Sequence, residues 1–227
     1  MMTNDFSAIL NALAEAPLAA NELCRVFHGR GHSVAELSHI NVDFYPPALF
    51  LVSYEEIDEQ VLVQLTDTLW QWAQQNAPEL VSALVYQQRS GINTHNALMF
   101  GELPQEHHVS ENGIKFKVDL LSRQNTGIFP DMRRGREFVQ ANSKNAKVLN
   151  LFSYTCGFSV AAMQGGADQV INMDMNKGVL RTGKQNHQLN GFAQGVSYFP
   201  HDILKSFGKL KKSAPYELII VDPPSFQ

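Results

Sequence analysis

The second half of the chain alternates regularly between short apolar runs and segments in which apolar side chains recur every three or four positions. The runs predict strands and the spaced segments predict helices. The predicted strands are 148–152, 170–174, 196–199 and 218–222, and the predicted helices are 158–164, 176–189 and 203–210. Strict alternation of this kind produces a parallel sheet with helices on both faces. The predicted fold class is therefore α/β, with a doubly wound, Rossmann-like sheet.

The first half of the chain predicts a smaller α/β module. Its predicted helices are 6–13, 23–27 and 57–72, and its predicted strands are 48–52 and 80–86. Apolar and polar residues then alternate over 114–120, which predicts one strand of a β-hairpin. The predicted organisation is an acidic α/β module at 1–112, a β-hairpin and lid segment at 113–136, and a ligand-binding Rossmann-like domain at 137–227.

The two halves differ sharply in charge. Residues 1–112 contain three basic and fourteen acidic residues, whereas residues 113–227 contain fifteen basic and eight acidic residues. The first lysine is Lys115. Such asymmetry favours two modules, of which the second faces a polyanion. An ordinary solvated surface is the alternative explanation of the same charges.

Cysteine content and apolar runs restrict the class of protein. Cys24 and Cys156 are the only two cysteines, so a disulfide framework is excluded and a reducing cytoplasm is expected. The longest apolar runs are too short to cross a bilayer, so no membrane partner is expected. Cys24, His28 and His32 suggest a zinc site only weakly, because glycines interrupt them, and no metal is predicted. His107 and His187 are expected to face solvent.

Polar residues follow three successive predicted strands, at the sheet edge where ligands of such folds bind. The turn Ser153–Gly157 opens a helix whose free N–H groups favour a negatively charged group. Asp174 can accept hydrogen bonds from both hydroxyls of a ribose, and Asp202 can accept from an adenine amine. Each aspartate alone is more often a helix N-cap. Together the three strand ends indicate a nucleoside site.

The fourth predicted strand ends in Asp222-Pro-Pro-Ser-Phe226. Two prolines directly after a buried strand stiffen the backbone and remove two donors. The Asp222 carboxylate and the neighbouring carbonyl oxygens are thereby expected to face the cleft. Phe226 can stack on a planar group such as an extruded base.

These motifs resemble those of class I S-adenosylmethionine-dependent methyltransferases. Residues 222–226 resemble their motif IV, and Val148-Leu-Asn-Leu-Phe-Ser-Tyr-Thr-Cys-Gly-Phe158 resembles their first motif. The likeness extends to the bacterial 23S rRNA large-subunit methyltransferases, both the cytosine-5 enzymes of the rRNA methyltransferase I type and the guanine-N7 half of the fused K/L enzyme. Their upstream motif Thr-Gly-x-Phe-Leu-Asp-Gln-Arg-x-x-Arg is matched by residues 126–136, and residues 42–50 resemble the start of their small central domain.

The resemblance implies S-adenosyl-L-methionine as cofactor and a base in RNA as methyl acceptor. It implies that Asp174 holds the ribose, that Asp202 holds the adenine and that the 152–157 loop holds the methionine moiety. The implied cofactor-binding residues are Phe129, Asp131, Arg133, Phe152, Ser153, Tyr154, Gly157, Asp174, Met175, Asp202, Ile203 and Asp222. The implied catalytic residues are Asp222, Pro223 and Phe226.

Positive charge makes a further group of residues candidates for contacts with RNA phosphates. These residues are Arg134, Arg136, Lys209, Lys211 and Lys212. For the lysines, a solvated helix end is the alternative. The expected partner is RNA, and a homodimer is a further expectation.

Several positions depart from the family pattern. Cys156 replaces a glycine, which predicts a tighter loop, and Pro130 and Met132 replace lid residues. An RNA-binding PUA domain is not recognisable before Tyr45. Only four of the seven strands of a methyltransferase sheet are predicted, so the chain is expected to be part of a longer protein.

Two other functions remain open at the level of sequence. An NAD(P)-binding oxidoreductase would share the parallel sheet and the acidic strand end, although Gly-x-Gly-x-x-Gly is missing. A non-catalytic RNA-binding protein or fragment is the second alternative. The methylated atom also stays open: cytosine-5 transfer needs a cysteine nucleophile, and position 225 is serine, which leans slightly towards transfer to nitrogen.

Overall fold

The structure of the protein is a computed structural model that describes residues 5–31, 34–90, 94–122 and 124–223. The chain divides into two compact units, of which the first comprises residues 1–112 and 118–126 and the second residues 113–117 and 127–227. The segment 113–136 is thus distributed over both units. Among the described helices, none is both long and apolar enough to cross a membrane.

The first unit is built on a five-stranded sheet. Its elements are α1 (Ser7–Glu15), β1 (Cys24–His28), β2 (Ile40–Tyr45), β3 (Ala48–Ser53), α2 (Glu59–Asn76), β4 (Ala83–Gln88), β5 (His95–Gly101) and β6 (His108–Glu111). The sheet order is β1-β2-β3-β4-β5, in which β3 and β4 are parallel and the other neighbours antiparallel. The predictions of β3, β4 and α2 are confirmed, with β4 beginning three residues later than predicted.

A helix predicted at residues 23–27 is wrong, because Cys24–His28 form β1. Cys24 and Phe27 are both buried, and their spacing of three residues looks helical. In the pairing of β1 with β2, however, a bulge between Arg25 and Phe27 shifts the register. One extra residue in a strand moves the next inward side chain from the second position to the third.

Helix α2 connects the parallel strands β3 and β4 and covers the core of the first unit. Asp58 caps its start, where its Oδ1 accepts hydrogen bonds from the backbone N–H groups of Gln60 and Val61. Leu65 and Leu69 lie one turn apart and are fully buried. Burial of each such leucine contributes about 2 kcal/mol, so this helix anchors the unit by packing.

The second unit contains the predicted Rossmann-like sheet. Its elements are β7 (Ile114–Lys117), α3 (Arg133–Ala141), β8 (Lys147–Leu151), α4 (Gly157–Gln164), β9 (Gln169–Met173), α5 (Lys177–Leu189), β10 (Val196–Phe199), α6 (Phe207–Lys212) and β11 (Leu218–Val221). The sheet order is β10-β9-β8-β11 and all pairs are parallel, which confirms the predicted fold class. Two boundaries differ from the prediction by three residues or more: β7 ends at Lys117 rather than at residue 120, and α6 begins at Phe207 rather than near residue 203.

The strand order places a topological switch point between β8 and β11. The chain moves outward from β8 to β9 and β10, then returns to the opposite side of β8 for β11. The connection that leaves β8 therefore turns away from β11, which leaves a crevice at the carboxyl ends of these two strands. Open α/β sheets bind their ligands in this crevice.

A network of hydrogen bonds joins buried polar side chains of strands β8 and β9 to helices α4 and α5 of the second unit. Asn150 Nδ2 donates to Asn172 Oδ1 at 3.0 Å, and Asn172 Nδ2 donates to Ser159 Oγ at 3.0 Å. Ser159 Oγ lies 2.9 Å from His187 Nε2, and His187 Nδ1 lies 2.8 Å from the carbonyl of Gly183. A neutral His187 with its proton on Nδ1 satisfies every one of these bonds.

Two histidines expected to face solvent are instead buried. His187 is completely buried, and His107 is 6% exposed with its Nε2 2.7 Å from the carbonyl of Pro46. His187 is hydrogen-bonded to Ser159 and Gly183, and His107 is hydrogen-bonded to Pro46, 61 residues earlier in the sequence, so the polar flanking residues do not reveal the burial.

Stability is expected to fall as the pH decreases below about 6.5, the ordinary pKa of histidine. Burial lowers the pKa of His187 in the folded protein, so the unfolded chain binds a proton that the folded chain resists. The free energy of unfolding, measured by urea denaturation, should therefore decrease steadily as the pH falls from about 7 through 6.5 and below. A His187→Gln variant should show a weaker pH dependence, whereas the exposed-site control His95→Gln should retain it. An unchanged dependence in His187→Gln contradicts this account.

Candidate functional site

A pocket that opens to solvent lies at the switch point, entirely within the second unit. The lining residues are Gly127, Ile128, Phe129, Met132, Arg136, Phe152, Ser153, Tyr154, Thr155, Gly157, Phe158 and Asp222. The loop after β8 and the end of β11 therefore meet in one cavity.

The loop after β8 has an unusual backbone. Phe152, Tyr154 and Cys156 all have positive φ angles, of 53°, 46° and 63°. Left-handed conformations cost on the order of 1–3 kcal/mol for residues other than glycine, and such strain clusters at ligand sites. Three alternate left-handed residues at the end of a buried strand thus mark this loop as a specialised structure.

Asp174 holds this loop in place. Its Oδ2 accepts a hydrogen bond from the Tyr154 N–H at 2.9 Å, and its Oδ1 accepts from the Asn176 N–H at 2.9 Å. The N-cap of α5 is Asn176, whose side chain accepts from Gly178 and Val179. Because a carboxylate has about four lone-pair sites, each Asp174 oxygen keeps capacity for a ligand hydroxyl.

The side chain of Cys156, a residue with left-handed backbone geometry, packs against Gly183 of α5. A Cβ atom at Gly183 would lie 2.4 Å from the Cys156 Sγ, so the thiol fills space that only glycine leaves free. Burial raises the pKa of the Cys156 thiol, which is fully buried. Cys156 is therefore a packing residue and is not available as a nucleophile.

Ser153 presents a buried polar atom to the pocket. Ser153 is 6% exposed, and its Oγ has no hydrogen-bond partner within the described part of the chain. Buried hydroxyls are almost always paired in folded proteins. An unpaired hydroxyl that lines a cavity is therefore suited to a polar group of a ligand.

Arg136, predicted to contact RNA phosphates, is instead buried in the pocket wall. It is 5% exposed, and its Nη2 donates to the Phe129 carbonyl at 2.7 Å. Arg136 and Val139 are both buried and lie three residues apart, on the face of α3 that points inward. The guanidinium thus brings a positive charge into the cavity rather than to the surface.

Aromatic rings and a loop contact complete the pocket wall. The rings of Phe129 and Tyr154 stack with centroids 5.7 Å apart. The hydroxyl of Thr155 donates to the carbonyl of Gly127 and so joins the segment before α3 to the loop after β8. These contacts bring Phe129, predicted as a lid residue, into the same cavity as the first motif.

Asp222 lies where β11 reaches the pocket. Partial burial raises the pKa of its carboxyl, the nearby Asp131 carboxylate raises it further, and Arg136 opposes the shift. A carboxylate with a raised pKa is a better proton acceptor than an ordinary aspartate. Pro223 follows as an exposed residue, and Phe226 lies outside the described residues.

Six of the predicted cofactor contacts, among them Asp174, do not line this pocket. Met175 is 70% exposed, and Asp131 is also exposed. Arg133 pairs with Glu137 at 3.4 Å. The last two, Asp202 and Ile203, follow β10 in the sequence.

The residues after β10 differ in their accessibility. Asp202 Oδ1 accepts from the Leu204 N–H at 2.9 Å, and its Oδ2 lies 3.5 Å from Lys205 Nζ. Ile203, in contrast, is 5% exposed and packs in the core with Leu149 and Met173. A contact with a ligand is thus possible for the side chain of Asp202, whereas the side chain of Ile203 is committed to the core.

The other basic candidates for RNA contacts are accessible. Arg134 is 93% exposed at its side chain and pairs with Glu137 at 3.2 Å. Lys209, Lys211 and Lys212 are exposed on α6, and Lys209 Nζ lies 2.6 Å from His201 Nε2. All four side chains are free to reach an external polyanion.

Sequence reasoning missed several lining residues. They are Gly127, Ile128, Met132, Thr155 and Phe158. All five lie inside the two recognised motifs, 126–136 and 148–158, so their positions were available as a signal. Only one feature of the sequence indicated that Arg136 is buried: the apolar residue Val139 follows three positions later and so lies on the same face of the helix. The charge of an arginine, taken alone, predicts an exposed side chain.

The described residues contain no group of three or more His, Cys, Asp or Glu side chains arranged to hold a metal ion. His32, one of the weak zinc candidates, lies outside those residues. The polar side chains that line the pocket are three hydroxyls, one guanidinium and one carboxylate, which suit an organic ligand better than a metal ion.

Comparison with protein families gives a match over nearly the whole chain. Residues 24–227 match the family model described as S-adenosylmethionine-dependent methyltransferase. Proteins named ribosomal RNA large subunit methyltransferase I are 34% identical over 148 residues in Aeromonas salmonicida and 36% identical over 141 residues in Aliivibrio fischeri. These matches cover 64% and 61% of this chain, and the chain spans only 37% and 36% of those relatives.

Two solved structures are similar to this chain over almost its entire length. A structure described as a methyltransferase complexed with SAH is 26% identical, with a TM-score of 0.79, and covers 97% of this chain and 58% of its own. A protein from Streptococcus mutans, described as a SAM-dependent methyltransferase, is 25% identical, with a TM-score of 0.78 and corresponding coverages of 96% and 58%. These similarities cover both units of the present chain.

Proposed function

The chain belongs to the S-adenosylmethionine-dependent methyltransferase family, and from that membership we propose that it transfers a methyl group from S-adenosylmethionine to a base of RNA, with 23S rRNA as the target. The observation that carries the proposal is the switch-point pocket, in which the strained loop after β8 and the carboxylate after β11 meet. The names of the relatives support large-subunit rRNA as the acceptor.

The pocket residues fit the chemical groups of S-adenosylmethionine. The buried guanidinium of Arg136 would pair with the carboxylate of the methionine moiety, and the unpaired Ser153 hydroxyl would bond to its polar end. The faces of Phe129 and Tyr154 would favour the positively charged sulfur. Asp174 would accept hydrogen bonds from the ribose hydroxyls.

S-adenosylmethionine supplies, when bound, a methyl group on a sulfonium, which a nucleophilic atom of the substrate attacks in line. The protein contributes mainly position and a partly dry environment. The strained loop fixes one side of the pocket before any ligand arrives, because Asp174 holds its backbone. Asp222, with its raised pKa, would orient the acceptor base and take its proton or polarise its N–H group.

Calorimetric titration followed by a methyl-transfer assay tests this function. We expect S-adenosylmethionine to bind the purified chain with micromolar affinity, and NAD to show no binding. A radiolabelled methyl group should then pass to unmethylated 23S rRNA but not to DNA of the same sequence. Binding of NAD in place of S-adenosylmethionine contradicts the proposal in favour of an oxidoreductase, and cofactor binding with no transfer to RNA contradicts the proposed acceptor.

A further inference from the structure

Two of the three arginines of residues 1–112, Arg30 and Arg89, lie at one edge of the five-stranded sheet. Strands β1, β3 and β4 run in the same direction, because β2 is antiparallel to both β1 and β3 and β4 is parallel to β3. Their carboxyl ends therefore share an edge. Arg30 follows β1, Tyr54 follows β3 and Arg89 follows β4.

These three residues form a single cluster. The Arg30 Cζ atom lies 4.4 Å from the centroid of the Tyr54 ring, and the Arg89 Cζ atom lies 5.9 Å from it. The Tyr54 hydroxyl accepts a hydrogen bond from Asn41 Nδ2 at 3.3 Å, and Arg89 Nη2 donates to Asn125 Oδ1 at 2.7 Å. Neutral partners thus hold the ring and one guanidinium in place. We call Arg30, Tyr54 and Arg89 the arginine–tyrosine cluster.

Among the described residues of the first unit, no carboxylate neutralises the charges of this cluster. The third arginine of residues 1–112, Arg25, is paired with Asp43 at 2.7 Å. In the described part of the chain, neither Arg30 nor Arg89 forms an ion pair with a carboxylate. The exposed Glu55 and Glu56, although next in sequence, do not pair with them either. Residues 1–112 contain fourteen acidic residues, so these two guanidiniums form a local positive site among mostly negative charges.

We propose that the arginine–tyrosine cluster binds a single-stranded segment of the RNA substrate; this rests on the proposed function, which supplies RNA as the partner. Guanidinium planes and aromatic rings stack on unpaired bases, and a guanidinium also pairs with phosphate. The cluster can therefore bind both the base and the phosphate of a nucleotide. The negative remainder of the unit repels RNA. The cluster therefore fixes where the strand can touch this unit.

Fluorescence anisotropy of the full chain with a labelled single-stranded oligouridine RNA of about 16 nucleotides tests the cluster. We expect Arg30→Ala and Arg89→Ala each to weaken RNA affinity about tenfold. Each should also reduce the slope of log K against log salt by about 0.7, the amount expected for one lost phosphate contact. Arg30→Lys should keep the salt slope but bind more weakly, because lysine lacks the planar group that stacks.

The matched control is Lys184→Ala, which removes an exposed positive charge of the second unit outside the described site. It should lower affinity less than twofold, and all variants should keep the calorimetric affinity for S-adenosylmethionine. If Arg30→Ala and Arg89→Ala bind RNA as tightly as the unsubstituted chain, the cluster is not an RNA contact, while the proposed function stands. If the unsubstituted chain binds the cofactor but no RNA, the proposed RNA substrate and the cluster's role both fail.

Discussion

Replacement of Asp222 by asparagine is expected to lower the rate of methyl transfer about 100-fold to 1,000-fold, the range typical for loss of a general base. The affinity for S-adenosylmethionine should change less than about twofold, because Asp222 acts on the acceptor base in the proposed mechanism. Single-turnover transfer of a radiolabelled methyl group to 23S rRNA measures the rate, and calorimetry measures the affinity. Equal losses in both quantities would indicate a cofactor-binding role instead.

The pH dependence of the same reaction tests whether Asp222 accepts a proton or only positions the acceptor base. Repulsion by Asp131 contributes to the raised pKa of Asp222. Asp131→Asn should therefore lower that pKa and move the acidic limb of the rate profile to lower pH. In Asp222→Asn the limb itself should disappear. Asp168→Asn removes an exposed carboxylate of the second unit outside the pocket and should leave the profile unchanged, which controls for the general effect of charge.

Sequence reasoning predicted the parallel sheet well because its strands carry a strong signal. Strands β8 and β9 are buried on both faces and read as continuous apolar runs, apart from Asn150 and Asn172, which pair with each other. Strand β5, in contrast, was missed because it is an edge strand with only partly buried or exposed positions. Its only apolar run, Ala97–Phe100, is four residues long, and its residues show no regular alternation of buried and exposed positions.

The residues of the candidate site that directly follow a strand were predictable from the sequence. The loop after β8, Asp174 and Asp222 were all expected at the carboxyl edge of the sheet, where the structure places them. Arg136 was not, because a charged residue in a polar helix is ordinarily exposed, and its burial depends on a tertiary contact with the carbonyl of Phe129. Asp174 also has a second role, as an acceptor for two backbone N–H groups, that no local pattern encodes.

Loss of Asp174 is expected to weaken S-adenosylmethionine binding about 100-fold or more. The Asp174→Ala variant removes the proposed acceptor of the ribose hydroxyls, and hydrogen bonds to a charged group contribute about 1.5–3 kcal/mol each. It also releases the backbone N–H groups of Tyr154 and Asn176, so the strained loop loses its support. Calorimetry measures the affinity, and the thermal midpoint reports how far the loop's release affects folding.

A comparison of two ligands distinguishes direct ribose binding from support of the loop. The unsubstituted chain should bind 2′-deoxyadenosine more weakly than adenosine, because one hydroxyl that Asp174 accepts is missing. In Asp174→Ala the two ligands should bind equally, since the partner of that hydroxyl is gone. If the variant still discriminates between them to the same degree, Asp174 acts only by holding the Tyr154 N–H. Asp202→Ala, which removes a carboxylate outside the described pocket, should keep the discrimination, because its proposed contact is to adenine.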